Sequence, residues 1–413
     1  MIDSALRASH YDLLAPAFHA DPAPVLHRMR RDDPVHWDPT LSAWVLTRHT
    51  DVAHAVRSPE LSVDRGGSIS RTDDADARAA LAWCSEFVLR WMVFADPPRH
   101  TRLRAAVHRA FTAAMVERLR PTIAATTAEA LAAAAPRGRI EIIRELAVPV
   151  PATATAALLG LPASDLGLLK AWTADMFALF GAGVASAAVV AAAHASMRAC
   201  EAYFVDAIAA RRRAPGADLI SALVAGPDGA ALDDDELVGL AVTLLAGAYE
   251  TTTHLVGNGV LALLRHPGEL ARLRAEPALI RNAVEELFRY DGPALSVVRR
   301  ARVDVAFGDT VVAGGQNVYC MLYAANRDPA RFADPDRLDV GRGDTRHLGL
   351  GHGIHFCLGA ALSRLEAEVM IGAVVGLDRL ELDRDALGGG EPEFLPNLAI
   401  RGVAALPVRF RTT

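Results

Sequence analysis

Near the start of the chain, apolar and polar residues alternate over short stretches. Val35-His36-Trp37 and Ala43-Trp44-Val45-Leu46 flank Asp38-Pro39-Thr40, a turn signal, so the segment predicts a β-hairpin. From about Thr101 to Arg265 the pattern reads almost wholly helical and is rich in Ala, Leu and Arg. After Pro293 it changes again. Val303 to Leu322 is rich in Val and broken by Gly308, Gly314 and Gly315, which predicts short strands. Helix returns from Leu358 to about Val375, and the tail reads as strands and loops. No internal repeat, low-complexity linker or sharp compositional boundary divides residues 1–413, so one mainly α domain with a minor β part is expected.

The most informative helix is predicted over Asp233 to Arg265. Asp233 can cap it, with Glu236 three residues on at capping-box spacing, and His266-Pro267 ends it. Leu237, Leu240, Leu244, Thr251 and Leu255 share a face, but the other faces are apolar too, so the helix is expected to be buried all round. In its centre stands Gly247-Ala248-Tyr249-Glu250-Thr251-Thr252. A carboxylate inside a buried helix is costly unless it is paired or needed. One reading is a proton relay, in which Glu250 gathers protons and Thr251 orients a bound oxygen species or water. The other is a Glu paired with a distant Arg and a Thr bonded to its own helix. Glu250 and His254, at i,i+4, could also share a metal, a weak signal because such pairs are common.

Composition narrows the class. The hydrophobic fraction is 52%, ample over 413 residues for a large core with a ligand cavity inside it. The formal net charge is -6 and no Lys/Arg run appears, so nucleic-acid binding has no support. Met1 to His10 mixes charged and apolar residues and is expected to be neither signal peptide nor anchor. Met176 to Ala193 carries no charged residue, near the length of a membrane span. Its alanines gain little from lipid, so a buried or ligand-lining helix pair joined near Gly181 and Gly183 is the preferred reading. Cys84, Cys200, Cys320 and Cys357 are far apart and form no C-x-x-C pair, which fits a reducing cytoplasm better than a disulfide framework.

The strongest chemical signal is His347-Leu348-Gly349-Leu350-Gly351-His352-Gly353-Ile354-His355-Phe356-Cys357-Leu358-Gly359. Three alternating glycines let the backbone lie close to something flat or bulky. Cys357 comes just before a helix, whose first-turn N–H groups and dipole can stabilise a thiolate. A single thiolate with no other cysteine close in sequence suits haem iron. On these residues alone three other readings stay open: a buried structural thiol, a zinc site with His352 and His355, and a phosphate loop, although the glycine spacing suits phosphate poorly.

Taken in order along the chain, the motifs resemble the cytochrome P450 family. The cysteine loop is similar to its haem-binding pattern F-G-x-G-x-H-x-C-x-G, with Leu350 in place of the usual Phe. The central helix resembles the oxygen-binding pattern [A/G]-G-x-[D/E]-T-T, with Ala248 where a second Gly is usual. Glu286-Leu287-Phe288-Arg289 resembles the E-x-x-R motif, and Pro335-Asp336-Arg337-Leu338 resembles the later P-x-R-F motif. In the family the two form a charged structural network. Asp96 to Arg104 is similar to the stretch whose His and Arg contact the haem propionates.

The resemblance implies a single-domain P450 fold, with haem b between the long central helix and the cysteine loop. Cys357 would be the axial iron ligand, and His100, Arg104, Arg299, His347 and His355 the other haem contacts. Glu250 and Thr251 would be the catalytic acid–alcohol pair. Trp91, Ala246, Tyr249, Leu295, Val298 and Leu398 would line the substrate pocket. It further implies a cytoplasmic, monomeric monooxygenase that oxidises a small or medium-sized, largely apolar organic substrate, with natural-product tailoring as its setting. Electrons would come from NAD(P)H through a separate ferredoxin and ferredoxin reductase. A peroxide-driven haem oxygenase and a non-catalytic haem sensor or carrier are the alternatives.

Overall fold

The computed structural model describes residues 11–64, 69–226 and 232–411. Met1 to His10, expected to be neither leader nor anchor, lies outside the described residues. The chain is 56% helical with 11% strand. Seven helices frame the site: α1 (Arg78–Val88), α2 (Arg99–Ala110), α3 (Leu166–Gly181), α4 (Ala187–Arg213), α5 (Asp234–Arg265), α6 (Ile280–Asp291) and α7 (Ala360–Val375).

The expected hairpin is present. Strands β1 (Val35–Asp38) and β2 (Ala43–Leu46) pair antiparallel with Trp37 opposite Trp44. Asp38 closes the turn, its Oδ1 accepting from Thr40 N at 2.8 Å and Leu41 N at 3.0 Å. The hairpin belongs to a five-stranded sheet with β3 (Leu61–Ser62), β4 (Val297–Ala301) and β5 (Asn317–Cys320), in the order β1-β2-β5-β4-β3. The short strands expected after Val303 are found at Val305–Phe307, Thr310–Val312 and β5.

The long helical stretch is interrupted once by strand. Arg139–Glu141 pairs with the C-terminal strand Pro407–Arg411, which also pairs with Asp378–Leu382. Gly138 adopts φ 60 after Ala135-Pro136-Arg137, a left-handed stop that ends the helix and lets Ile140 enter the core from a strand. The sequence pattern around Ile140 is too short to signal this, because the partner strand lies more than 260 residues away in the chain.

Central helix α5 begins as its residues require. Asp233 Oδ1 accepts from Glu236 N at 2.8 Å, and Glu236 reaches back to Asp233 N at 3.3 Å. Leu237, Leu240, Leu245, Leu255 and Val260, spread round the helix, are all buried. It runs through the middle of the largest apolar cluster and packs against α4, α6 and α7. The apolar stretch from Met176 folds as two helices, α3 and α4, with the chain turning at Gly183 (φ 65). Among the described residues no helix is long and apolar enough to cross a membrane.

Candidate active site

The cysteine loop is shaped by its glycines. Gly351 (φ 73) and Gly353 (φ 71) hold a backbone conformation that a side chain would strain. The reversal they make is closed by Cys357 N donating to Leu350 O at 2.8 Å. Cys357 therefore stands just ahead of α7. Burial raises the pKa of its thiol, while the Gly359 N–H and the positive charges of Arg104 and Arg364 oppose the rise.

Cys357 lines a cavity of about 180 Å³ that α5 roofs with Thr243, Leu244, Gly247 and Ala248. His100, Arg104 and His355 line the same cavity. The two imidazoles lie 4.2 Å apart, and Nε2 of each is buried with no hydrogen-bond partner. Burial, followed by the neighbouring His100 and Arg299, pushes His355 down to about 3, so its ring is neutral. Burial, then Arg104, lowers His100 as well. Arg104 donates to Phe356 O at 2.7 Å and to His108 Nε2 at 3.0 Å. An adjoining cavity of about 350 Å³ shares Val93, Thr243 and Gly247 with the first and opens between α5, the end of α3, strand β4 and the 398–400 turn. Trp91, Ala246, Thr251, Val298, Arg299 and Leu398 line it. Apart from Arg299 its wall is largely apolar, and three of its hydroxyls are turned to the backbone. Thr243 donates to Gly239 O, Thr251 to Gly247 O and Ser296 to Leu398 O, all along local backbone or loop.

These contacts narrow the readings left open by the cysteine loop, and likeness to known proteins selects among them. The chain belongs to the cytochrome P450 family. The family model described as Cytochrome P450 matches residues 205–386. Cytochrome P450 107B1 of Saccharopolyspora erythraea is 40% identical over 409 residues, covering 96% of this chain and 98% of that one. The cytochrome P450 monooxygenase PikC of Streptomyces venezuelae is 39% identical, over 95% of this chain and 92% of its own. Among solved structures, P450BioI in complex with a hexadec-9Z-enoic acid-ligated acyl carrier protein superposes with a TM-score of 0.88 at 30% identity, covering 96% and 99% of the two chains. The enzyme is a cytochrome P450 monooxygenase, and its family implies haem.

The residues present fit that cofactor. A buried sulfur, two orphaned imidazole nitrogens and two arginines converge on adjoining cavities with apolar walls, matching an apolar ring that carries two carboxylates. Arg299 is buried and donates to Val298 O at 3.0 Å. The zinc reading has no ligand set, since His352 is exposed and, among the described residues, no group of three His, Cys, Asp or Glu could hold a metal ion.

Four expected site residues are placed elsewhere in this P450. His347 does not line either cavity. Its Nε2 lies 3.3 Å from Glu285 Oε2, its Nδ1 accepts from Gly349 N at 3.0 Å, and its ring stacks on Phe288. Both nitrogens face protein partners, so in this fold His347 makes structural contacts in place of the expected propionate one. Burial would raise Glu285, but His347 and Arg364 pull it down to about 2. Leu295 does not line the chamber that its neighbours Ala294 and Ser296 reach, and packs with Leu13 and Leu26, because alternate residues of an extended segment face opposite ways. Tyr249 is buried but faces neither cavity. Glu250 also stands outside both linings, one residue round the helix from Thr251, with Oε1 3.2 Å from His254 Nε2.

The E-x-x-R pair forms a fully buried ion pair at 2.7 Å. Its third charged member is Arg342, at 3.1 Å from both Glu286 oxygens, and not Arg337, whose guanidinium is exposed and which contributes its carbonyl. Sequence reading also missed Thr243, which lines both cavities. The available signal was its spacing: Thr243, Gly247 and Thr251 recur every four residues along one face of α5.

Proposed function

We propose that this P450 is a haem-thiolate monooxygenase that inserts one oxygen atom into a small or medium-sized, largely apolar organic substrate. The observation carrying this reading is the convergence of Cys357, His100 and His355 on one cavity, next to an apolar chamber that Thr251 enters. Relatives of the chain carry names such as Cyclomarin C epoxidase and Polyketide biosynthesis cytochrome P450 PksS, which supports natural-product tailoring as the setting.

When bound, haem supplies the activation of dioxygen. Cys357 would hold its iron and push electron density towards it. His100, Arg104, Arg299 and His355 would hold its carboxylates by charge-assisted hydrogen bonds. Glu250, whose side chain keeps 17% exposure, would take protons from solvent. The Thr251 hydroxyl, which donates to Gly247 O, keeps its lone pairs available at the chamber wall to accept a proton-bearing water. Phe94, Phe177, Phe180 and Val298 would orient the substrate and exclude water. Among the described residues no carboxylate lines the chamber, which favours a neutral substrate over an amine. Electrons would come from NAD(P)H through a separate ferredoxin and its reductase. They would enter on the cysteine side, where Ile354 and Phe356 are exposed.

The test has two parts. The reduced protein with carbon monoxide is expected to give the strongly red-shifted Soret band of thiolate-bound haem. Thr251→Ala is expected to keep that band and divert electrons from water or product to hydrogen peroxide. Full turnover with peroxide alone, and none with the redox chain, would replace this reading with a peroxide-driven oxygenase.

A further inference from the structure

We propose that His254 is a positioning residue for proton delivery: it holds the Glu250 carboxylate by one oxygen and leaves the other open to exchange protons next to Thr251. The proposal rests on reading Glu250 and Thr251 as the relay.

Three observations carry it. First, the hold is a single contact. Glu250 Oε1 lies 3.2 Å from His254 Nε2, one helical turn on, and among the described residues Glu250 has no other hydrogen-bond partner. Its Oε2 is neither bonded nor sealed off from the surface. The neighbouring hydroxyls are engaged elsewhere: Thr251 with Gly247 O, Thr252 with Ser363, and Thr253 with Ala147 O and Tyr249 O.

Second, the tautomer is decided by what surrounds the ring. His254 Nδ1 is buried and has no partner. An ionised carboxylate can only accept, so the Nε2 that faces Glu250 Oε1 carries the proton in that pairing, and His254 is the donor.

Third, the ring cannot retreat. A Cβ at position 402 would sit 2.0 Å from His254 Nδ1, so the ring lies directly on the Gly402 backbone. His254 is itself only 4% exposed. Glu250 thus has a fixed donor behind it and solvent in front, an arrangement that keeps the acid from swinging away.

The experiment uses the haem-loaded enzyme with NADPH, a surrogate ferredoxin and its reductase, and no added substrate. Reducing O2 to two waters consumes two NADPH and their accompanying protons, while stopping at hydrogen peroxide consumes one. The ratio of NADPH to O2 used, together with the peroxide released, therefore reports proton delivery. His254→Phe fills the space without a donor. Gly402→Ala pushes the intact ring from behind. His254→Gln restores a donor at similar reach. We expect the first two to raise the peroxide-to-water ratio about tenfold, the scale of losing one charge-assisted hydrogen bond, and the third to return it towards the parent value. The carbon monoxide spectrum checks that each variant holds haem. If His254→Phe does not, the Gly402→Ala and His254→Gln pair decides alone. Parent-like ratios in these variants, alongside a shifted ratio in Thr251→Ala, overturn the role of His254 and leave the relay standing. An unshifted ratio in Thr251→Ala overturns the relay itself.

Discussion

Glu366 offers a measurement of what burial does to an acid in this fold. It lies in α7, is fully buried, and neither carboxylate oxygen has a hydrogen-bond partner. The nearby Thr252 hydroxyl favours the charged form a little but is engaged by Ser363 at 3.0 Å. Burial outweighs it and raises the Glu366 pKa well above the ordinary 4.5. The native state therefore keeps a proton that the unfolded chain releases. Below the ordinary value both states are protonated and nothing is lost. As pH rises from there towards the folded value, stability falls by up to about 1.4 kcal/mol per unit. Glu366→Gln has nearly the same shape and no proton to lose, so it removes this slope. Across two units inside that window the variant gains about 3 kcal/mol on the parent. With an unfolding entropy of about 2.1 cal/mol/K per residue, the 413 residues carry roughly 0.9 kcal/mol/K, so the midpoint difference grows by about 3 °C. Paired thermal unfolding by circular dichroism from about pH 5 to about pH 8 measures it. Parallel curves for parent and variant would show that Glu366 is ionised in the fold, and the reasoning from burial would fail.

Cys357→Ala is expected to abolish the red-shifted Soret band while leaving far-ultraviolet circular dichroism native, since Cys357 is a free cysteine and anchors no disulfide. His100→Ala and His355→Ala are expected to speed haem transfer to excess apomyoglobin, whereas His347→Ala should leave transfer unchanged and lower the unfolding midpoint, because its partners are Glu285 and Gly349. Arg289→Leu strands the buried Glu286 carboxylate and is expected to cost about 3–5 kcal/mol, read as a lower midpoint and a poor yield of holoprotein. Asn397 holds Phe177 O at 3.0 Å and caps Ala399 N and Ile400 N. Asn397→Asp keeps the caps but loses the donor to Phe177 O, and is expected to cost about 1 kcal/mol, read as a lower unfolding midpoint.

Much of the fold was legible because its signals are local. The Asp233 capping box, the Asp38 turn and the Gly183 break each depend on residues within a few positions, and the structure realises all three. The strand at Arg139–Glu141 was not legible, because it is a strand only by virtue of Pro407–Arg411 beside it. The same distinction separates Arg342 from Arg337. Spacing pointed to the arginine inside the motif, but the chain turns so that the one five residues later meets Glu286.

In the site, the deciding property is whether a polar atom already has a partner, and no motif encodes that. His100, His355 and His347 are equivalent as letters: each is a histidine in a family pattern. In the fold, the first two have a buried nitrogen with nothing to bond, and the third has both nitrogens occupied. A buried polar atom left unpaired costs about 1–3 kcal/mol, so two of them side by side on one cavity imply a ligand that supplies acceptors or donors. Glu250 falls between these cases, with one oxygen held by His254 and the other open. A group needed to pass protons must be neither fully satisfied nor fully free, and among the acids of the described site Glu250 meets that condition while Glu366, sealed and protonated, does not.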